Sequence, residues 1–117
     1  MMLSKFKNGF GYALIGLKLS WTKGINFKVQ FFCAILALML GWFLSISPIE
    51  FVAVIFAITA VLATETFNTA LEELCDKFQP SHDPHIARIK DLSAAAVLLT
   101  SLGAGVIGII IFLPHVW

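Results

Sequence analysis

The sequence predicts an all-α membrane protein: an N-terminal amphipathic helix on the bilayer surface followed by three transmembrane helices, in one domain over residues 1–117. Three observations carry this. Of 117 residues, 59% are hydrophobic and 13% charged, with a mean hydropathy of +0.91, too apolar for a water-soluble domain. The apolar residues gather in three runs, each of a length suited to a hydrocarbon core of about 30 Å. Every Lys and Arg lies either before the first run or between the second and third. All the cations therefore share one side, which the positive-inside rule assigns to the cytoplasm. The net charge of +1 gives no general affinity for nucleic acid.

The surface helix is expected at about residues 4–22. Phe6, Phe10, Ala13, Leu14, Leu17 and Trp21 recur there at helical spacing, with Lys5, Lys7 and Lys18 among the remainder, so the lysines can face anionic headgroups. Lys5 and Lys7 are not followed by a compact apolar core and a cleavage site, so residue 1 onward reads as mature protein. The first span is expected at about 29–46, with Trp42 and Phe43 at interfacial depth. Ser45 to Glu50 reads as a tight turn, with Pro48 suited to the first turn of the next helix. The second span is expected at about 50–78. A Pro-broken loop, Gln79 to His85, then leads through Arg88 and Lys90 into a third span at about 92–113. Within it, Gly103 to Gly108 spells G-x-G-x-x-G, but no strand precedes it, and small residues that admit another helix explain it better than a dinucleotide site. Cys33 and Cys75 form no metal or redox pattern, and His82 and His85 have no third ligand at zinc spacing.

The informative stretch lies in the second span. Glu65, Asn68, Glu72 and Asp76 follow steps of three, four and four and fall within roughly an 80° arc of one helix face. Glu65 is about 22 Å along the helix from Glu50, and so at hydrocarbon depth, while Glu72 is about 10 Å further on, near the headgroups. An unpaired carboxylate at such depth costs at least about 2.5 kcal/mol. The stripe suits a site handling protons, metal or phosphate, or else polar packing between helices.

As chemistry, a carboxylate withdrawn from bulk water suits a general base toward a hydroxyl at headgroup depth, the part open to Glu65. Glu72 and Asp76 are hard oxygen donors suited to Mg²⁺ carrying a nucleotide's phosphates, although Asp76 beside Lys77 equally suits a solvated helix end. Arg88 and Lys90 could neutralise phosphate charge. Lys90 and Asp91 equally suit a snorkelling lysine and an N-cap. Ion conduction along the stripe is disfavoured, because spans one and three carry no matching polar residues. A chain with so few helices shields few polar groups from lipid, so a functional stripe implies an oligomer.

Glu65-Thr-Phe-Asn-Thr-Ala-Leu-Glu72, then Asp76, then Lys90-Asp-Leu-Ser-Ala-Ala-Ala-Val97 resembles the E-x-x-N-[ST]-A-[IL]-E … D … K-D-x-x-[AS]-A-A-V pattern of the prokaryotic diacylglycerol kinase and undecaprenol kinase family, and the resemblance covers essentially the whole chain. It implies a homotrimer in the bacterial inner membrane, with active sites shared between neighbours, that moves the γ-phosphoryl group of ATP to a lipid alcohol with Mg²⁺. It further implies that Glu65 is the catalytic base, that Asn68 supports the site and that Glu72 binds the metal. Lys5, Tyr12, Asp76, Lys90 and Asp91 become ATP contacts. The run from His85 to Asp91 resembles the undecaprenol branch more than the diacylglycerol branch. Two departures stand out. The family's second metal-binding glutamate falls on Gly24, and the loop motif E-Y-H-P is here Ser81-His-Asp-Pro84, leaving His82 to lie against adenine. The pattern thus implies weakened metal affinity, with Asp83 or a neighbouring subunit as sources of a replacement oxygen, or a non-catalytic relative.

Overall fold

The computed structural model describes residues 1–78 and 83–117. They form four helices: α1 (Met2–Lys23), α2 (Ile25–Phe43), α3 (Pro48–Phe78) and α4 (Pro84–Val116). α2, α3 and α4 are each long and apolar enough to cross a membrane. The overall extents are 51 × 43 × 21 Å, and large apolar side chains such as Phe32, Phe56, Leu99 and Ile110 stay exposed, as expected where the solvent is lipid rather than water. α3 packs against α4, α2 and α1.

The helix boundaries correct the expected ones, and local hydrogen bonding gives the reason. The first span begins at Ile25 rather than near residue 29, because only Gly24 separates it from α1. It ends at Phe43 rather than 46. There Ser45 adopts a positive φ of 55°, while Ser45 N–H reaches Trp42 O and Ile46 N–H reaches Gly41 O, both at 3.1 Å. This is a Schellman termination, with a serine where glycine is usual. Ile46 then folds back over Gly41, where an added Cβ would stand 2.9 Å from Ile46 Cδ1. α3 opens at Pro48 as expected, held by a reciprocal capping box. Ser47 N–H donates to Glu50 Oε1 at 2.8 Å and Glu50 N–H to Ser47 Oγ at 3.2 Å.

The third span was expected from residue 92, yet α4 already begins at Pro84. Asp83 Oδ1 accepts from the N–H groups of His85 (2.8 Å) and Ile86 (3.3 Å), and Pro84 occupies the first helical position, where its missing N–H costs nothing. Pro84 and His85, expected in the loop, are therefore helical, and Asp91, inside α4, is not an N-cap. Asp83 thus caps α4 through Oδ1. No heavy atom comes within 4 Å of a Cβ built on Gly103, Gly105 or Gly108, so no helix of the same chain makes that approach.

Ile46, Val54 and Ile111 form a core cluster, with Leu38, Phe51 and Ile107 against it. It lies where α2 turns into α3, at the end of the bundle remote from Glu72 and Asp76. Beside it His115 Nε2 lies 3.2 Å from Glu50 Oε1, joining the start of α3 to the end of α4. At the opposite end Trp21 meets Phe31 and Phe32 edge-on, with ring centroids 5.3 and 5.9 Å apart, and so fastens α1 to α2.

Candidate active site

α3 is 31 residues long, or about 46 Å, which exceeds a hydrocarbon core of about 30 Å. One helix therefore carries the stripe from lipid depth into the aqueous layer. Glu65 is 4% exposed, whereas Glu72 and Asp76 are exposed and Asn68 is half-buried. A buried carboxylate on a transmembrane helix is costly, which makes Glu65 a candidate functional group.

The stripe is wired to α4. Ser93 Oγ donates to Asn68 Oδ1 at 2.8 Å, and Asn68 Nδ2 donates to Glu72 Oε1 at 3.0 Å. One turn toward the aqueous end, Lys90 Nζ donates to Asp76 Oδ1. On the other flank α1 is joined to α3 by Ser20 Oγ to Thr66 Oγ1 at 3.1 Å and by Lys23 Nζ to Glu73 Oε1 at 2.8 Å. Gly24 sits against this seam: a Cβ there would meet Ser20 O at 2.9 Å and Thr69 Oγ1 at 3.5 Å.

The fold thus gathers Glu65, Asn68, Glu72, Asp76 and Lys90. It does not bring Lys5, Tyr12 or Asp91 to them. Lys5 and Tyr12 are exposed on α1, and Asp91 is exposed on α4, one residue round from the Lys90 that faces α3. His82 lies outside the described residues. Arg88 Nη2 is 3.2 Å from His85 Nδ1, on its own helix. Sequence reasoning missed Ser93, Glu73 and the Ser20–Thr66 link. Ser93 had a signal, since it falls three residues after Lys90 and so on the same helix face. The pairing of α1 with α3 had none.

Among the described residues no three His, Cys, Asp or Glu side chains converge to hold a metal ion. That donor set still fits Mg²⁺ arriving on a nucleotide, which takes one or two carboxylates plus phosphate oxygens rather than an all-protein cage. Glu72 has such an oxygen, since the Asn68 bond is made to Oε1.

A carboxylate stripe on a helix long enough to cross a membrane agrees with what the chain is similar to. The model of the family described as prokaryotic diacylglycerol kinase matches residues 11–112. The chain belongs to that family. It is 30% identical over 112 residues to an undecaprenol kinase of Bacillus subtilis, covering 96% of this chain and 91% of that one. It is 27% identical over 105 residues to a diacylglycerol kinase of Escherichia coli, covering 90% and 86%. It is 29% identical over 112 residues to a diacylglycerol kinase of Haemophilus influenzae, covering 94% and 95%. As a prokaryotic diacylglycerol kinase family member the chain is a membrane-embedded lipid kinase, a transferase with ATP as co-substrate.

Proposed function

We propose that the chain transfers the γ-phosphoryl group of Mg-ATP to the hydroxyl of undecaprenol. On this reading it works as a homotrimer in the bacterial inner membrane, with its N-terminus and the α3–α4 connection in the cytoplasm. The observation that carries the reading is the depth gradient on one helix face: Glu65 is buried at 4% exposure, while Glu72 and Asp76 on the same stripe are exposed. A lipid hydroxyl approaches from the bilayer and a nucleotide from water, and the stripe is where the two can meet.

Glu65 holds the acceptor hydroxyl and takes its proton as the oxygen bonds to the γ-phosphorus. The bond from that phosphorus to the β,γ-bridging oxygen breaks, and ADP leaves. Glu72, oriented by Asn68, would hold Mg²⁺, whose charge would offset that of the phosphates. Lys90 and Asp76 contact the nucleotide, joined by Asp91, His82, and Lys5 and Tyr12 of α1. The exposure of Lys5 and Tyr12 on α1 supports sites shared between neighbouring subunits. The run from His85 to Asp91 supports undecaprenol over diacylglycerol as acceptor.

Purified protein in mixed micelles with labelled ATP should phosphorylate undecaprenol faster than diacylglycerol. The reverse order would reassign the acceptor. A second reading, a non-catalytic relative, is favoured by Gly24, where the expected carboxylate is absent and even a Cβ crowds Ser20 O at 2.9 Å. Failure to phosphorylate either lipid, with nucleotide still bound, would establish it.

A further inference from the structure

We infer that Ser93 is a positioning residue for the nucleotide site: its hydroxyl anchors the Asn68 side chain where an amide N–H reaches Glu72. The inference rests on the kinase reading above. In apolar helices a hydroxyl usually satisfies itself on the carbonyl one turn back. Thr59, Thr66, Thr69 and Thr100 all do so, reaching Ile55 O, Leu62 O, Glu65 O and Ala96 O. Ser93, like Ser20, instead bonds to another helix. Though only 8% exposed, it crosses from α4 to α3 and donates to Asn68 Oδ1 at 2.8 Å.

That bond decides more than helix packing. A side-chain amide has an acceptor end and a donor end. Ser93 holds the acceptor end on α4, and the donor end faces Glu72 Oε1 at 3.0 Å. Turning the amide over would break the Glu72 bond and set a carbonyl oxygen against a carboxylate, whereas a hydroxyl can also accept, so Glu72 selects which end faces it and Ser93 fixes where the amide sits. With Ser93 in place, Glu72 is held by one oxygen. Without it, the amide loses its anchor on α4 and is free to leave that rotamer, and Glu72, an exposed side chain with three rotatable bonds, loses its guide. α4 thus steers two carboxylates of the stripe, Asp76 directly through Lys90 and Glu72 through the Ser93–Asn68 relay.

The test is binding of Mn²⁺-ATP to the full chain in micelles, read by electron paramagnetic resonance, beside steady-state kinetics with Mg-ATP. Ser93→Ala should weaken Mn²⁺-ATP binding about tenfold, the scale of lost support behind a metal-binding side chain. It should raise KM for Mg-ATP more than it lowers kcat. Ser93→Thr, which keeps the hydroxyl, should restore most of the affinity. In an Asn68→Ala background, Ser93→Ala should do nothing further, because the relay is already cut. An equal loss in both backgrounds would overturn the relay. Unchanged Mn²⁺-ATP binding in Ser93→Ala, with binding lost in Glu72→Gln, would overturn the inference and leave the kinase reading standing. Unchanged binding in Glu72→Gln would instead remove the metal assignment on which both depend. Should Ser93→Ala fail to fold, Ser93→Cys, which keeps the shape and weakens the donor, carries the test: weakened Mn²⁺-ATP binding supports the relay, and native binding overturns it.

Discussion

Lys90 on α4 donates its ammonium to the Asp76 carboxylate on α3, so the third span's first turns are tied to the aqueous end of the stripe. The Lys90 side chain is 38% exposed and that of Asp76 65%, and exposed pairs of this kind add little to stability. Their worth lies elsewhere. Lys90→Met should lower kcat/KM for ATP by about 100-fold, the usual loss when one charge-stabilising donor is removed, while the thermal unfolding midpoint in micelles hardly moves. A large fall in that midpoint with ATP kinetics intact would make the pair structural.

Glu65 is the deepest carboxylate of the stripe. Glu65→Gln keeps the shape and removes the base, so kcat should fall by about 10²–10⁴ while Mg-ATP still binds. Turnover in the variant, followed with labelled ATP and lipid, checks this. Native turnover would remove Glu65 from the chemistry.

Gly24 predicts a steric effect distinct from a chemical one. A Cβ there meets a backbone oxygen at 2.9 Å, so Gly24→Ala should cost about 1–3 kcal/mol through overpacking, measured by reversible unfolding. Gly24→Glu must be compared with that variant rather than with the native chain. Activity gained by Gly24→Glu over Gly24→Ala would show that a carboxylate at this position serves the metal.

Asp83 separates capping from catalysis. Asp83→Ala should destabilise by about 1 kcal/mol through loss of the α4 N-cap, whereas Asp83→Asn, an equally good cap, should not. Neither variant should change Mn²⁺-ATP affinity. A loss of affinity in Asp83→Asn at unchanged stability would return Asp83 to the metal.

Three spans and the stripe were legible in the sequence because each is a property of one helix: apolar runs give the spans, and the period of 3.6 puts Glu65, Asn68, Glu72 and Asp76 on one face. What crosses between helices was not. Nothing in the local pattern fixes the register that sets Ser93 opposite Asn68 or Lys23 opposite Glu73, since two apolar helices can slide past one another without changing either sequence. The start of α4 was misplaced for a different reason. Asp83-Pro84 is a helix-opening signal, but Pro80 and Pro84 together read as a broken loop. Lys5 and Tyr12, drawn from the family pattern, are exposed on α1, and no periodicity within one helix says what they face.

The junction at Gly24 has a mechanical consequence. Gly24 N–H bonds back to Ser20 O at 3.0 Å and Lys28 N–H to Gly24 O at 3.4 Å, so α1 and α2 are joined by one residue with no slack. α2 has 19 residues, about 28 Å, barely the thickness of the bilayer it crosses. A thicker or thinner membrane must therefore tilt α2 or deform the lipid around it. Any tilt of α2 is passed directly to α1 and strains its links to Thr66 and Glu73 of α3.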